Sequence, residues 1–262
     1  MKAVHKDFWM EIRKSKARFL SIFFIVTLGV AFFSGIHASS PDMRLSGDDY
    51  YDTSELMDIR VTGTMGLTDE DLTALEEVPG VELAEGAYCA DVLTKSGETQ
   101  KVLHIESINE NVNHLMISEG TMPEKSGELF LDQAYAESEG YEVGDTITVK
   151  EDEDSDLLLR DTYTVTAIGS SPLYISFDRG NTTMGSGETD GFAYVLQEDF
   201  DREVYTQIYL QAHGARNLIS YTDSYESLIE MLQEKVEEIS DSRCQIRYAQ
   251  VMDTAQEKLS DA

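Results

Sequence analysis

The feature that most constrains this chain is a run of 23 residues, 19–41, that contains no Asp, Glu, Lys or Arg. Its centre reads FLSIFFIVTLGVAFFSGI. A helix rises 1.5 Å per residue, so about 20 apolar residues cross a hydrocarbon layer about 30 Å thick. Hydrocarbon offers the backbone no hydrogen-bond partner, so such a segment satisfies itself as a helix. Residues 1–41 carry six basic and two acidic groups, whereas the remainder carries 14 basic and 48 acidic ones. Positive charge flanking a span on one side marks the cytoplasmic side. The expectation is a transmembrane helix over residues 19–40, with the N-terminus in the cytoplasm and residues 42–262 outside. The rival is a cleavable signal peptide, because Ala38, Ser39 and Ser40 are small enough for cleavage. An apolar run longer than the usual 7–15 residues and an 18-residue leader argue against it.

The leader has its own pattern. Val4, Phe8 and Ile12 recur at i, i+4 and i+8, Trp9 lies beside them, and Lys and Arg fill other faces. This predicts an amphipathic helix over residues 1–18, lying on the cytoplasmic headgroups of the lipid. The residues there that would couple the membrane to a cytoplasmic partner are Phe8, Trp9, Ile12, Arg13, Lys14 and Arg18.

The net charge of −30 combines +4 over residues 1–41 with −34 beyond them. So acidic a surface repels nucleic-acid phosphates and anionic headgroups, and it excludes nucleic acid as a partner. It suits solubility, and it is compatible with a cationic peptide. Two isolated cysteines, Cys89 and Cys244, form neither a disulfide framework nor a metal signature.

Along the exterior part, residues 41–57 read as a polar tether or the end of the stalk. Residues 58–63 alternate as a strand. Thr68 is an N-cap with acids behind it and Asp71 in the capping-box position, opening a helix over 68–77 whose stripe is Leu72, Leu75 and Val78. Residues 81–94 and 101–108 read as strands joined by a turn at Ser96, Gly97 and Glu98. Residues 128–131 predict a short strand, 133–139 a helix closed by Gly140, and 146–149 and 162–169 strands around an acidic hairpin tip at 151–156. A Gly/Ser/Thr loop covers 178–191, with strands at 192–196 and 206–212. Ser224 opens a helix over 224–239 with Leu228, Ile229, Leu232 and Val236 on one face. Residues 244–248 alternate as a last strand, and 249–262 predict the start of a helix leading into a missing C-terminal part.

Motifs for catalysis are missing. Residues 180–187 (GNTTMGSG) have the glycines of a phosphate-binding loop but no following Lys and no helix. Asp152, Asp154 and Asp156 have calcium-loop spacing, but the sixth position is Leu157 and the twelfth Tyr163. None of the five histidines (His5, His37, His104, His114, His213) has zinc-site spacing. No nucleophile elbow occurs. The reading is a protein that is no enzyme, with no catalytic, cofactor-binding or metal residues.

Over residues 119–168 the order of features resembles the MacB/FtsX-type ABC transporter permease family, in its extracytoplasmic core domain. The resemblance rests on Gly120 and Pro123, Gly127 and Glu128 before a short strand, a helix with Ala136, Val143-Gly144-Asp145, and a strand from Val165 to Gly169. It implies an α+β fold: a single N-terminal transmembrane helix, then a ferredoxin-like subdomain from residues 58–112 and 205–248, with a mostly-β subdomain, 113–204, inserted. The four ferredoxin-like strands would lie near 58–63, 81–94, 206–212 and 244–248, with 101–108 a candidate fifth. Cys89 and Cys244 would then lie on opposite edge strands as free thiols. The resemblance further implies a separate cytoplasmic ABC ATPase subunit, a permease dimer or pseudo-dimer, contact with membrane lipid, and export or extraction of a substrate such as a cationic peptide or a lipid. The alternative is a membrane-anchored sensor or scaffold whose exterior domain binds a ligand or cell-wall hydrolase without transport.

Overall fold

A computed structural model describes residues 2–96, 99–151, 157–176, 178–201 and 203–260. The expected turn at Gly97 and Glu98 and the acidic tip with Asp152, Asp154 and Asp156 lie outside the described residues. The chain forms two compact units, Met1–Asp48 and Asp49–Ala262.

In the first unit, helix α1 (Lys2–Lys14) is followed by helix α2 (Lys16–Thr53), which runs on into the second unit. The apolar residues of α2 are bare: Leu28 is 71% exposed and Phe33 73%. Among the described residues α2 is the one helix long and apolar enough to cross a membrane. Where a tether or the end of the stalk was expected over 41–57, the helix continues through Pro41 to Thr53. Proline removes one backbone bond from a helix. The Ser39 hydroxyl donates to the Ile36 carbonyl in the turn before it, and no β-branched run follows to oppose propagation.

The second unit holds two sheets. The first has three antiparallel strands in the order β1 (Ile59–Leu67), β10 (Tyr205–Ala212), β2 (Val81–Ala87). Helix α3 (Asp69–Glu76) and helix α5 (Asp223–Ser260) cover one face, where Leu75, Ile208, Leu210, Leu232 and Val236 form a core. Thr68 and Asp71 close the capping box that opens α3. Strand β10 has two faces: Ile208, Leu210 and Ala212 pack under the helices, while Tyr209 belongs to a separate cluster with Ala87 and Val112.

The second sheet has seven strands: β3 (Cys89–Ser96), β4 (Thr99–Ser107), β5 (Met116–Gly120), β6 (Glu128–Asp132), β7 (Thr146–Lys150), β8 (Thr162–Ser170) and β9 (Gly191–Val195). Their order is β5-β8-β6-β9-β4-β3-β7, and β7 also pairs with β8. That last pairing closes six of the strands into a ring, with β5 added outside on β8. Alternate residues point inward, as the two-residue period of a strand requires: Val92, Leu103, Ile105, Leu129, Leu131, Ile147, Tyr163, Val165 and Ala193 share one core. The register of β8 against β6 shifts between Val165 and Ala167. A bulge turns the following residues over, so Ile168 rather than Ala167 joins the inner core. Helix α4 (Gln133–Glu139) packs Tyr135 and Ala136 against this core and ends at Gly140 in the left-handed conformation, φ 77°.

Three expectations are corrected. Residues 244–248 are not a strand; they lie inside α5, a helix of 38 residues. Five alternating residues look like a strand locally, but no Gly or Pro interrupts 223–260, and Arg243 and Arg247 share a helical face. Arg243 Nε donates to Asp71 Oδ1 at 2.6 Å, and Arg247 donates to the Met65 carbonyl. The expected four-stranded ferredoxin-like sheet therefore has three strands among the described residues. Residues 81–94 are two strands in different sheets, parting at Tyr88, so Cys89–Ser96 and Thr99–Ser107 belong with the ring and not with the first sheet.

Candidate functional site

Two polar constructions stand out in the second unit. The first joins the two sheets. Glu106, next to the end of β4, is 3% exposed. Its carboxylate accepts from the hydroxyl of Tyr174 at 2.5 Å, and from the Tyr209 hydroxyl at 2.8 Å and the Gln207 amide at 3.4 Å on β10. A buried carboxylate needs such donors and a counter-charge. The one cation within 4 Å of it among the described residues is His104, whose Nε2 is 3.9 Å from Oε1. On its other side His104 Nδ1 meets Asp91 Oδ1 at 2.5 Å, and Asp91 Oδ2 accepts from Thr182 at 2.7 Å. Burial disfavours the imidazolium, but Asp91, Cys89 and Glu106 outweigh it and push His104 up to about 10. Burial also opposes ionisation of Asp91, yet His104 and Thr182 hold it below the ordinary carboxylate range. Burial first, then the Glu106 charge, raises the Tyr174 and Tyr209 hydroxyls far above the usual phenol range, so both remain donors. Beside them Arg179 binds both oxygens of Asp132, at 2.8 and 3.0 Å, and lies 5.2 Å over the Phe192 ring.

The second construction holds the segment that leaves α2. Arg216 Nη1 binds Glu55 Oε1 at 2.5 Å and its Nη2 donates to the Asp52 carbonyl at 3.2 Å. The amides of Asn113 and His114 donate to the Glu55 and Ser54 carbonyls, at 2.9 and 2.7 Å. The Met57 amide donates to Asn113 Oδ1 at 3.0 Å. Asp58 accepts from the Tyr225 hydroxyl at 2.6 Å and from the Ala212 amide at 2.7 Å. Burial raises the Asp58 carboxyl in spite of both bonds. Residues 51–58 are thereby fastened to β10, to the start of α5 and to the loop before β5. A cavity of about 260 Å³ remains between these elements.

Of the residues singled out for coupling, Phe8, Trp9 and Lys14 are exposed on α1 and Arg18 on α2; the side chains of Ile12 and Arg13 lie outside the described residues. All six belong to the first unit, so neither construction contains them. Cys89 opens β3 and Cys244 lies on α5, both free thiols, so Cys244 is not on an edge strand as expected. Residues 180–187 form a turn bridged by Asn181 and Glu188, and Thr182 within it serves Asp91. Among the described residues no cluster of His, Cys, Asp or Glu has the makings of a metal site.

The residues that join the sheets escaped the sequence reading. The available signal was polar residues two apart, His104 with Glu106 and Gln207 with Tyr209, within strands otherwise apolar enough to be buried. Each pair shares one face of its strand.

The family described as MacB-like periplasmic core domain matches residues 20–234. No curated protein sequence matches the chain. Among solved structures, it is similar to the extracellular domain of the noncanonic ABC-type transporter YknZ from Gram-positive bacteria, at 14% identity and a TM-score of 0.39, over 63% of this chain and 80% of that one. It is similar also to the periplasmic region of MacB from Actinobacillus actinomycetemcomitans, at 11% identity and a TM-score of 0.38, over 68% of this chain and 76% of that one.

Proposed function

The chain belongs to the MacB-like periplasmic core domain family, and from that membership we propose that it is the membrane-anchored exterior part of an ABC-type permease subunit, worked by a separate cytoplasmic ATPase for export or extraction of a substrate. The observation that carries this reading is the reach of the family match. It begins inside the apolar segment of α2 and extends to residue 234, so it takes in both the helix and the folded exterior unit.

In this reading α1 lies on the cytoplasmic headgroups. Phe8, Trp9 and Ile12 anchor it in the lipid, and Arg13, Lys14 and Arg18 hold it at the charged surface. The ATPase moves α1, α2 carries the movement, and the contacts of residues 51–58 pass it to β10 and α5. The exterior unit then works against that of a second permease copy. Such a mechanism requires an element with two arrangements that nucleotide biases, and the polar joint between the two sheets is the candidate for it.

The test replaces Phe8→Asp together with Ile12→Asp in the assembled permease–ATPase complex. In the unaltered complex, cross-linking between the two exterior units should change on ATP binding. In the double variant that response should vanish while the exterior unit melts at an unchanged temperature. An undiminished ATP response in the variant contradicts the coupling role of α1.

A further inference from the structure

The cavity beside residues 51–58 has an unusual lining. Tyr51, Tyr221 and Tyr225 contribute three aromatic rings. The Tyr51 and Tyr221 rings stand 6.2 Å apart at 61°, with their hydroxyls 3.3 Å from each other. Four carboxylates, Asp52, Glu55, Asp58 and Glu82, line the same space against one guanidinium, Arg216. The cavity therefore combines aromatic rings with an excess of negative charge, which is the setting in which an organic cation is held.

The kind of cation follows from what the carboxylates are already doing. Glu55 is engaged by Arg216, and Asp58 by Tyr225 and the Ala212 amide. Glu82 lies 3.6 Å from His213. Glu55 and Asp58 have thus spent acceptor positions on the protein's own donors, and Glu82 adds field from the rim. A primary ammonium needs acceptors to replace its water; a fully methylated ammonium has no N–H and needs only field and ring faces. The volume, about 260 Å³, falls just under the roughly 300–1,000 Å³ of pockets for drug-sized molecules and so suits a compact head group. Among the described residues, two of the three non-glycine residues with positive φ, Glu55 at 48° and Tyr221 at 61°, line this cavity. L-residues rarely adopt that conformation, and it tends to be retained where geometry matters to function.

We infer that this cavity binds a quaternary ammonium head group, carried either by a free cation or by a choline lipid. The inference does not depend on the transport reading, since it concerns binding alone.

The test uses the full chain in a maltoside detergent, titrated calorimetrically with tetramethylammonium chloride and, separately, with ammonium chloride. Tetramethylammonium should give a saturable heat, and ammonium should bind at least tenfold more weakly. Tyr221→Leu removes a ring that is 62% exposed, and Glu82→Gln removes a charge whose side chain is 58% exposed. Each should weaken tetramethylammonium about fivefold or more without moving the melting temperature. Repeating the titration in nanodiscs separates the sources. Loss of binding in phosphatidylcholine discs but not in phosphatidylglycerol discs identifies a lipid head group as the natural occupant; binding in both identifies a free cation. Equal heats from the two salts, or an affinity untouched by both substitutions, overturns the inference.

Discussion

Glu106 illustrates how one residue ties the second unit together. Its carboxylate is buried between the sheets, its donors come from the ring side (Tyr174) and from β10 (Tyr209 and Gln207), and its counter-charge is His104. Removing one partner of such a set strands a buried charge, which costs about 3–5 kcal/mol. The protonation of His104 therefore bears on stability. Its pKa in the fold, about 10, stands above the unfolded value of about 6.5. The stabilisation is complete below pH ~6.5 and is lost as pH rises towards 10. Between those limits the unaltered protein should lose on the order of 2 kcal/mol more than a His104→Gln variant, as urea titrations of the full chain in detergent would measure. Parallel pH profiles for the two proteins would show that the imidazolium carries no part of the joint. None of these pairings was legible from the chain alone, because His104, Glu106, Gln207 and Tyr209 meet only once β4 and β10 are brought from a hundred residues apart.

Among the elements, short helices and hairpin strands were readable. α3 begins where Thr68 and Asp71 call for it, and α4 spans the expected residues up to Gly140. In both, the deciding interactions are local. The misreadings at 81–94 and 244–248 have the opposite cause. Tyr88 carries no breaker, yet the strand changes sheets there, with its amide bound to the Ser107 hydroxyl and its ring against Phe200 and Tyr205. Residues 244–248 follow the helix that Leu228, Leu232 and Val236 dock on the sheet, and a helix already nucleated adds residues cheaply. Asp71 belongs to both its own helix and α5: it caps α3 and, 5% exposed, binds Arg243. Thr68→Ala should therefore cost about 1 kcal/mol, as loss of a cap does, while Asp71→Ala should cost about 2–3 kcal/mol more because it also leaves Arg243 without its partner. Equal losses in chemical denaturation would mean that the contact between α3 and α5 adds nothing. At strand β8, Gly169 permits β5 to approach: a Cβ there would stand 2.0 Å from the Met116 carbonyl oxygen. Close approach of that kind leaves no periodic signal in a sequence.

At the scale of the whole molecule, the chain divides as its charge divides: a basic, apolar first unit and an acidic second one. That division was plain from the run of residues 19–41, since an apolar run of that length can be read from composition alone. The closed ring was not, since it depends on β7 returning to β8, a pairing that hydrophobic alternation cannot specify. The proposed function rests on the apolar helix crossing the bilayer with the acidic unit outside. Cys244 is exposed on α5, and a Met10→Cys substitution in a chain carrying Cys89→Ala and Cys244→Ala places a thiol on α1. In cells stripped of wall and outer membrane, a membrane-impermeant maleimide should label Cys244 at once, and the thiol introduced at position 10 only after permeabilisation. Labelling of the α1 thiol in sealed cells, or protection of Cys244 until the membrane is opened, would contradict the proposed topology and the coupling built on it.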